Sequence, residues 1–203
     1  MAITNGYATL ADVKAALRIT DSVDDSLIEL SIEAASREID GYCNRVFYST
    51  TGTRVYQNVD SFIVNTDDII SVTTLKTSDD GVIYDTTWTT ADYQLEPLNG
   101  VAGGLVQPFT RIRAIGDYLF PVWSVTGTYG NKASVEVQGV FGWSAVPTAV
   151  KQACVLLAMR QFKRYDSPLG IAGGFGDMGA MRVGRTDPDI QALLAPYMKA
   201  VSS

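Results

Sequence analysis

Ile28, Ile32, Ala35, Ile39, Tyr42 and Val46 step along the chain by 4, 3, 4, 3 and 4 residues. That is the spacing of one helix face, and it predicts a long helix capped by Asp24 or Asp25. Glu29, Glu33, Arg37 and Glu38 lie mostly off the stripe. A face so uniformly apolar needs a partner surface, within the chain or on a neighbour. Ahead of it, Thr9-Leu10-Ala11-Asp12 has the form of a capping box, with an acid three residues after a threonine N-cap. Leu10, Val13 and Leu17 then continue at helical spacing to about Arg18, and Thr20 to Val23 forms a polar break.

From about Phe47 the period changes. Thr53–Gln57, Ser61–Val64, Ile69–Lys76 and Val82–Tyr84 are rich in β-branched and aromatic residues, and so are Tyr93–Glu96, Thr110–Arg113 and Ser134–Val140. Asp80-Gly81 reads as a hairpin turn, and Asn99-Gly100 and Gly103-Gly104 mark further turns. A third helix begins with Pro147 in its first turn, where a missing amide hydrogen costs nothing. Val150, Cys154 and Leu157 form one face of it, and Val155, Met159 and Phe162 another. It ends near Ser167-Pro168, and Asp187-Pro188-Asp189 leads into a last short helix closing near Tyr197. The expected fold is α+β. A helical core of about four helices, two N-terminal and two C-terminal, carries an inserted antiparallel β-sandwich or barrel-like module. The expected divisions are 1–48, 49–142 and 143–203, the last with a glycine-rich loop at 167–185.

Chemistry is constrained mainly by what the chain lacks. There is no histidine among 203 residues, which removes the commonest general base, the usual zinc ligand and every Ser-His or Cys-His pair. Cys43 and Cys154 fit small buried core residues. Asp21, Asp24 and Asp25 fail as a calcium loop, because the sixth and twelfth positions hold Ser26 and Ile32. They and the Asp79-Asp80 pair suit caps and turns. Gly174-Phe175-Gly176-Asp177-Met178-Gly179 matches G-x-G-x-x-G, but no strand leads in and Lys199 stands where an acid is needed. No catalytic residue, metal site or cofactor is expected. Net charge is −6, a poor match for gripping phosphate backbones. The one basic cluster, Arg160, Lys163 and Arg164, suits the end of a helix. No apolar run approaches the roughly 18 residues of a membrane span, and residues 1–10 lack a signal-peptide pattern, so the chain reads as soluble and not secreted. Trp88, Trp123 and Trp143 could form a sugar-stacking face, though sheet packing is the ordinary role of such residues.

Several segments in this order are similar to one family: Thr9–Lys14 before a break and the Asp24-Asp25 helix; Val137–Trp143; Val146-Pro147 with Val150–Ala153; Ser167–Gly170; and Asp187–Asp189 before Leu193–Tyr197. Together, over roughly residues 8–48 and 134–198, they resemble the head–tail connector (adaptor) proteins of long-tailed bacteriophages. The stretch from about 49 to 133 resembles them in character only. The resemblance implies a non-enzymatic virion protein of the head–tail neck, assembled in the host cytoplasm into a ring, usually of twelve subunits. Such a ring sits beneath the portal, extends the DNA channel without specific DNA or membrane binding, and presents a surface to a tail-side connector or terminator protein. On this reading Ile171, Phe175, Met178, Met181, Arg182 and Arg185 of the loop, with Leu193, Leu194 and Tyr197, dock onto the partner. Ile28, Ile32, Ile39 and Tyr42 form a subunit–subunit or core face. The alternatives are a terminator or tube-associated protein, and a carbohydrate-binding β-sandwich.

Overall fold

The computed structural model describes residues 3–58, 60–122, 132–166 and 187–199. Trp123 and the whole loop 167–185, with its six docking candidates and its glycine motif, lie outside the described residues. The chain divides into two compact units, one of residues 1–47 with 146–203 and the other of residues 48–145.

In the helical unit, α1 (Leu10–Leu17) starts on the expected capping box. The Asp12 amide donates to Thr9 Oγ1 at 3.1 Å, and the Thr9 amide donates back to Asp12 Oδ2 at 3.0 Å. It stops at Arg18, which takes a left-handed conformation. α2 (Asp25–Cys43) buries Ile28, Ile32, Ala35 and Ile39 completely and ends at a left-handed Asn44. Asp24 is its N-cap residue but makes no side-chain capping bond. α3 (Thr148–Asp166) packs Val150, Ala153, Cys154 and Ala158 into the same core, and the Ser36 hydroxyl meets Cys154 Sγ at 3.5 Å where α2 and α3 touch. α4 (Pro188–Leu194) has Asp187 as N-cap, and a 3-10 turn (Ala195–Tyr197) follows.

The β unit contains β1 (Ser49–Tyr56), β2 (Ile63–Thr77), β3 (Thr86–Trp88), β4 (Tyr93–Glu96), β5 (Val101–Ala102), β6 (Leu105–Val106), β7 (Phe109–Ala114) and β8 (Val135–Gly142). Its main sheet is antiparallel, in the order β1-β8-β2-β7-β4, with β3 added beside β2; β5 and β6 make a separate two-stranded ribbon. This corrects the expected sandwich or barrel. Among the described residues there is one open six-stranded sheet, with β1 and β4 as unjoined ends. β2 turns the sheet by pairing first with β7 and then with β8, and its register shifts mark irregularities at both pairings. Val64, Ile69, Leu75, Ile112, Val135, Val137 and Phe141 form the core, with Trp88 stacked on Phe120 at 4.5 Å.

Two further expectations change. Val82-Ile83-Tyr84 is not a strand: it lies in the loop between β2 and β3, with Val82 and Ile83 exposed. Asp80-Gly81 turns that loop differently from a two-residue hairpin, since the Asp80 carboxylate accepts the Val82 and Ile83 amides at 2.7 and 2.8 Å. Gly103-Gly104 does form a tight turn, both residues with positive φ, between β5 and β6.

The Val137–Trp143 segment owes its glycines to close approach. A Cβ on Gly139 would collide with the Ser71 carbonyl oxygen of β2, and one on Gly142 with that of Tyr48, where φ is also +96°. Gly139→Ala and Gly142→Ala should each cost about 1–3 kcal/mol by overpacking. Gly52→Ala on β1 has open space and should stay within about 0.5 kcal/mol. Urea denaturation of the three variants checks this; equal losses would contradict it.

Candidate assembly surface

The helical unit is assembled from chain segments far apart in sequence, and three aromatic rings join them. Phe47, fully buried just past α2, takes Tyr7 edge-on at 5.5 Å and Tyr197 edge-on at 6.0 Å. The Tyr7 hydroxyl donates to Asp40 and accepts the Phe47 amide at 2.8 Å, while the Tyr7 amide donates to Ser36 Oγ at 3.0 Å. Arg37 lies over the Tyr7 ring at 5.6 Å. Burial and the Asp40 bond push the Tyr7 phenol far above its ordinary range, and burial raises the Asp40 carboxyl. At the other end the Lys199 amide donates to the Cys43 carbonyl at 2.9 Å. Nothing in the helical periodicity pointed to Tyr7 or Phe47. The available signal was an aromatic two residues ahead of a cap and another three past a helix C-cap.

Against this frame, the candidates fall into distinct places. Ile28, Ile32 and Ile39 are fully buried inside the unit, so they are core, and Tyr42 is half-buried. Leu194 is buried, whereas Leu193 and Tyr197 are partly accessible. A groove between α2, α3 and α4 is lined by Glu38, Ile39, Tyr42, Leu157, Arg160, Asp187, Ile190, Gln191 and Leu194. Arg160 of α3 and Asp187, the N-cap of α4, thus line one groove of the helical unit. Lys163 and Arg164 are exposed in the last turn of α3, where they complement its dipole.

The remaining clusters are structural. Lys14 pairs with Asp25 at 2.5 Å, and Asp21 accepts the Val23 amide at 3.1 Å. Bonds from Ser78, Val82 and Ile83 lower the Asp80 carboxyl. Cys43 and Cys154 are buried free thiols, and burial pushes Cys43 up to about 11. Trp88 is 5% exposed and its Nε1 donates to Thr77 Oγ1 at 3.0 Å; Trp143 is 7% exposed and donates to Asp68 Oδ2 at 3.1 Å. Neither ring is open to stack on a sugar, which removes the described tryptophans from that alternative. Among the described residues no helix is long and apolar enough to cross a membrane.

Tyr7→Phe should cost about 1–3 kcal/mol, because it leaves the buried Phe47 amide without its acceptor and takes one donor from the half-buried Asp40 carboxylate, which keeps Arg37. An unchanged urea midpoint would contradict that. Asp12 is held at about 2 by the Thr9 bonds and by Lys151 at 2.9 Å. Its folded value lies below its unfolded one, so its contribution is full above about pH 4 and is lost as pH falls towards 2. The melting gap between the natural chain and Asp12→Asn should therefore narrow over that window; a constant gap would refute the assignment.

The family model for the phage gp6-like head-tail connector protein matches residues 7–79, which runs from the Tyr7 anchor through α1, α2, β1 and β2. No curated protein matches the sequence. In fold, the chain is similar to one from the neck of an empty GTA particle solved with C6 symmetry, at TM-score 0.56 and 20% identity, covering 100% of this chain and 95% of that one. A chain of the native gene transfer agent (GTA) virion matches equally, at TM-score 0.56, 20% identity and the same coverage. One from the native GTA neck with C12 symmetry gives 0.52 and 19%, over 100% and 94%. In sequence over residues 7–79 this chain is similar to the phage gp6-like head-tail connector family, and in fold over its whole length it is similar to chains of gene transfer agent particles and their necks.

Proposed function

We propose that this protein is a structural component of a virion neck, a head–tail connector that forms a ring beneath the portal. The observation that carries the reading is the coincidence of a connector family match at residues 7–79 with whole-chain likeness to neck chains. A twelve-subunit ring is favoured by the C12 symmetry of one such neck. The mechanism is geometric. The subunit adapts the portal ring to the next tail-side component and lengthens the DNA channel, and loop 167–185 with the accessible part of the terminal helix docks onto the partner. An acidic subunit, net −6, suits a channel through which DNA must slide without adhering. The protein is non-enzymatic on this reading: with no histidine in the sequence, the ordinary acid–base and nucleophile pairings are missing. Assembly takes place in the host cytoplasm, and the finished ring resides at the head–tail junction.

Particles produced without this chain should appear in negative stain as DNA-filled heads lacking tails, and the purified chain should bind the portal. Tailed particles formed in its absence, or a chain that neither binds portal nor enters mature particles, would defeat the proposal.

A further inference from the structure

α2 carries a second stripe on the side opposite its core. Leu27, Leu30, Ala34, Arg37 and Gly41 step by 3, 4, 3 and 4, the spacing of a coiled-coil seam. Val23 stands just ahead of the helix, and Arg37 also bonds the Asn5 carbonyl and Asp40 of its own chain. Val23 is 83% exposed, Leu27 37% and Leu30 43%. Gly41 is the least explained of these. Glycine is the poorest helix former after proline, yet an added Cβ there meets nothing within 4 Å, so packing inside the chain does not require it. A helix approaching from outside would.

α3 carries a matching outward seam. Ala149, Gln152, Leu156, Met159 and Lys163 step by 3, 4, 3 and 4 and face away from buried Val150, Cys154, Leu157 and Ala158. Leu156 is 36% exposed, and Lys163 and Arg164 are exposed beyond it. The two helices are oppositely charged: α2 has five acidic residues and one basic, α3 four basic and one acidic. Because α2 and α3 meet through their buried faces, the two seams point to opposite sides of the pair. That is the arrangement of a heterologous, head-to-tail contact, which closes into a ring when its rotation permits.

We infer that the outward seam of α2 seats the outward seam of α3 from a second copy of this chain. Leu27 and Leu30 pack on Leu156 and Met159, and Gly41 admits the neighbouring helix closely. Lys163 and Arg164, exposed at the end of the α3 seam, face the acidic α2 of the neighbour. The inference rests on the ring reading above and supplies the faces that make the ring.

The full-length chain is followed by sedimentation velocity up to about 1 mM, as the natural sequence, as Leu30→Glu, and as the paired variant Leu30→Cys/Leu156→Cys under mild oxidation. The natural chain should self-associate, Leu30→Glu should weaken this at least tenfold with its melting transition kept within a few degrees, and the paired cysteines should give a ladder of linked chains that either single cysteine does not. Leu30→Lys, placing a cation in the same seam, should weaken association as Leu30→Glu does, which keeps the test valid if one variant misfolds. Unchanged association in both seam variants overturns the inference. So does a natural chain that stays monomeric with no ladder. If Leu30→Glu fails to enter particles while the natural chain stays monomeric, the seam takes another protein, which also overturns it. The neck reading is judged separately: a seam-dependent ladder from a chain absent from particles defeats that reading and leaves the seam standing, while seam variants that enter particles normally do the reverse.

Discussion

The pairing of β1 with β8 is the constraint on which the architecture depends. These strands are the first and last of the β unit, yet they lie side by side in unbroken register, from Ser49 opposite Gly142 to Tyr56 opposite Val135. The Trp143 amide closes the end of the ladder on the Tyr48 carbonyl at 3.4 Å. A chain leaving α2 thus returns beside its point of departure before α3 begins. Loop-closure entropy rises only slowly with length, so an insert of this size is tolerable provided its ends are fixed. Here strand hydrogen bonds fix them, and glycine at 142 lets the strand backbones approach. The connector family match continues through β1 and β2, and the fold likeness covers the whole chain. The β unit is therefore part of the shared architecture, where the sequence resemblance reached it in character only.

The helical unit solves the complementary problem, since its helices are interrupted by that insert. Phe47 addresses it locally: it lies just before the crossing and is clamped by one ring from before α1 and another from after α4. Edge-to-face pairs contribute about 0.5–1.5 kcal/mol each beyond their buried area. That is modest beside the core stripe of α2, but it acts at the chain ends, which otherwise fray. The half-buried Tyr7–Asp40 bond adds direction, and burial and the neighbouring carboxylate both oppose ionisation of the phenol.

What was legible in the sequence was local. The Thr9–Asp12 box and the α2 stripe each depend on residues within a turn or two: the box formed as read, and the stripe holds from Ile28 to Ile39, with Tyr42 half-buried and Val46 beyond the helix end at Cys43. In sequence β2 reads as two runs, Ser61–Val64 and Ile69–Lys76, with Asn65-Thr66-Asp67-Asp68, residues of turn propensity, between them. Long-range partners override that propensity: Asp67 meets Arg54 at 2.8 Å, and buried Asp68 accepts Trp143 Nε1. No pattern within the segment announces a partner 75 residues away. The reverse error struck Val82–Tyr84, whose β-branched pair finds no strand to pair with and stays exposed. Among the docking candidates, Leu194 was read by its position at the terminus, but the space between α2 and α3 claims it for the core.

α2 shows how one helix can serve both folding and assembly without a conflict between them. Its inner stripe buries Ile28, Ile32, Ala35 and Ile39 completely within the chain, so those side chains need no neighbour to leave water. Its outer stripe is narrow and dwindles from leucine to alanine to glycine, so little apolar surface is open at any one turn. On the seam proposed above, each subunit contact is small and charge-assisted. Small contacts leave single copies apart when dilute, and a closed ring engages two of them per subunit. A second contact made within an assembled ring benefits from high effective concentration. A subunit of this design stays apart when dilute and associates as its concentration rises, and a closed ring then holds through the number of its contacts more than through the strength of any one.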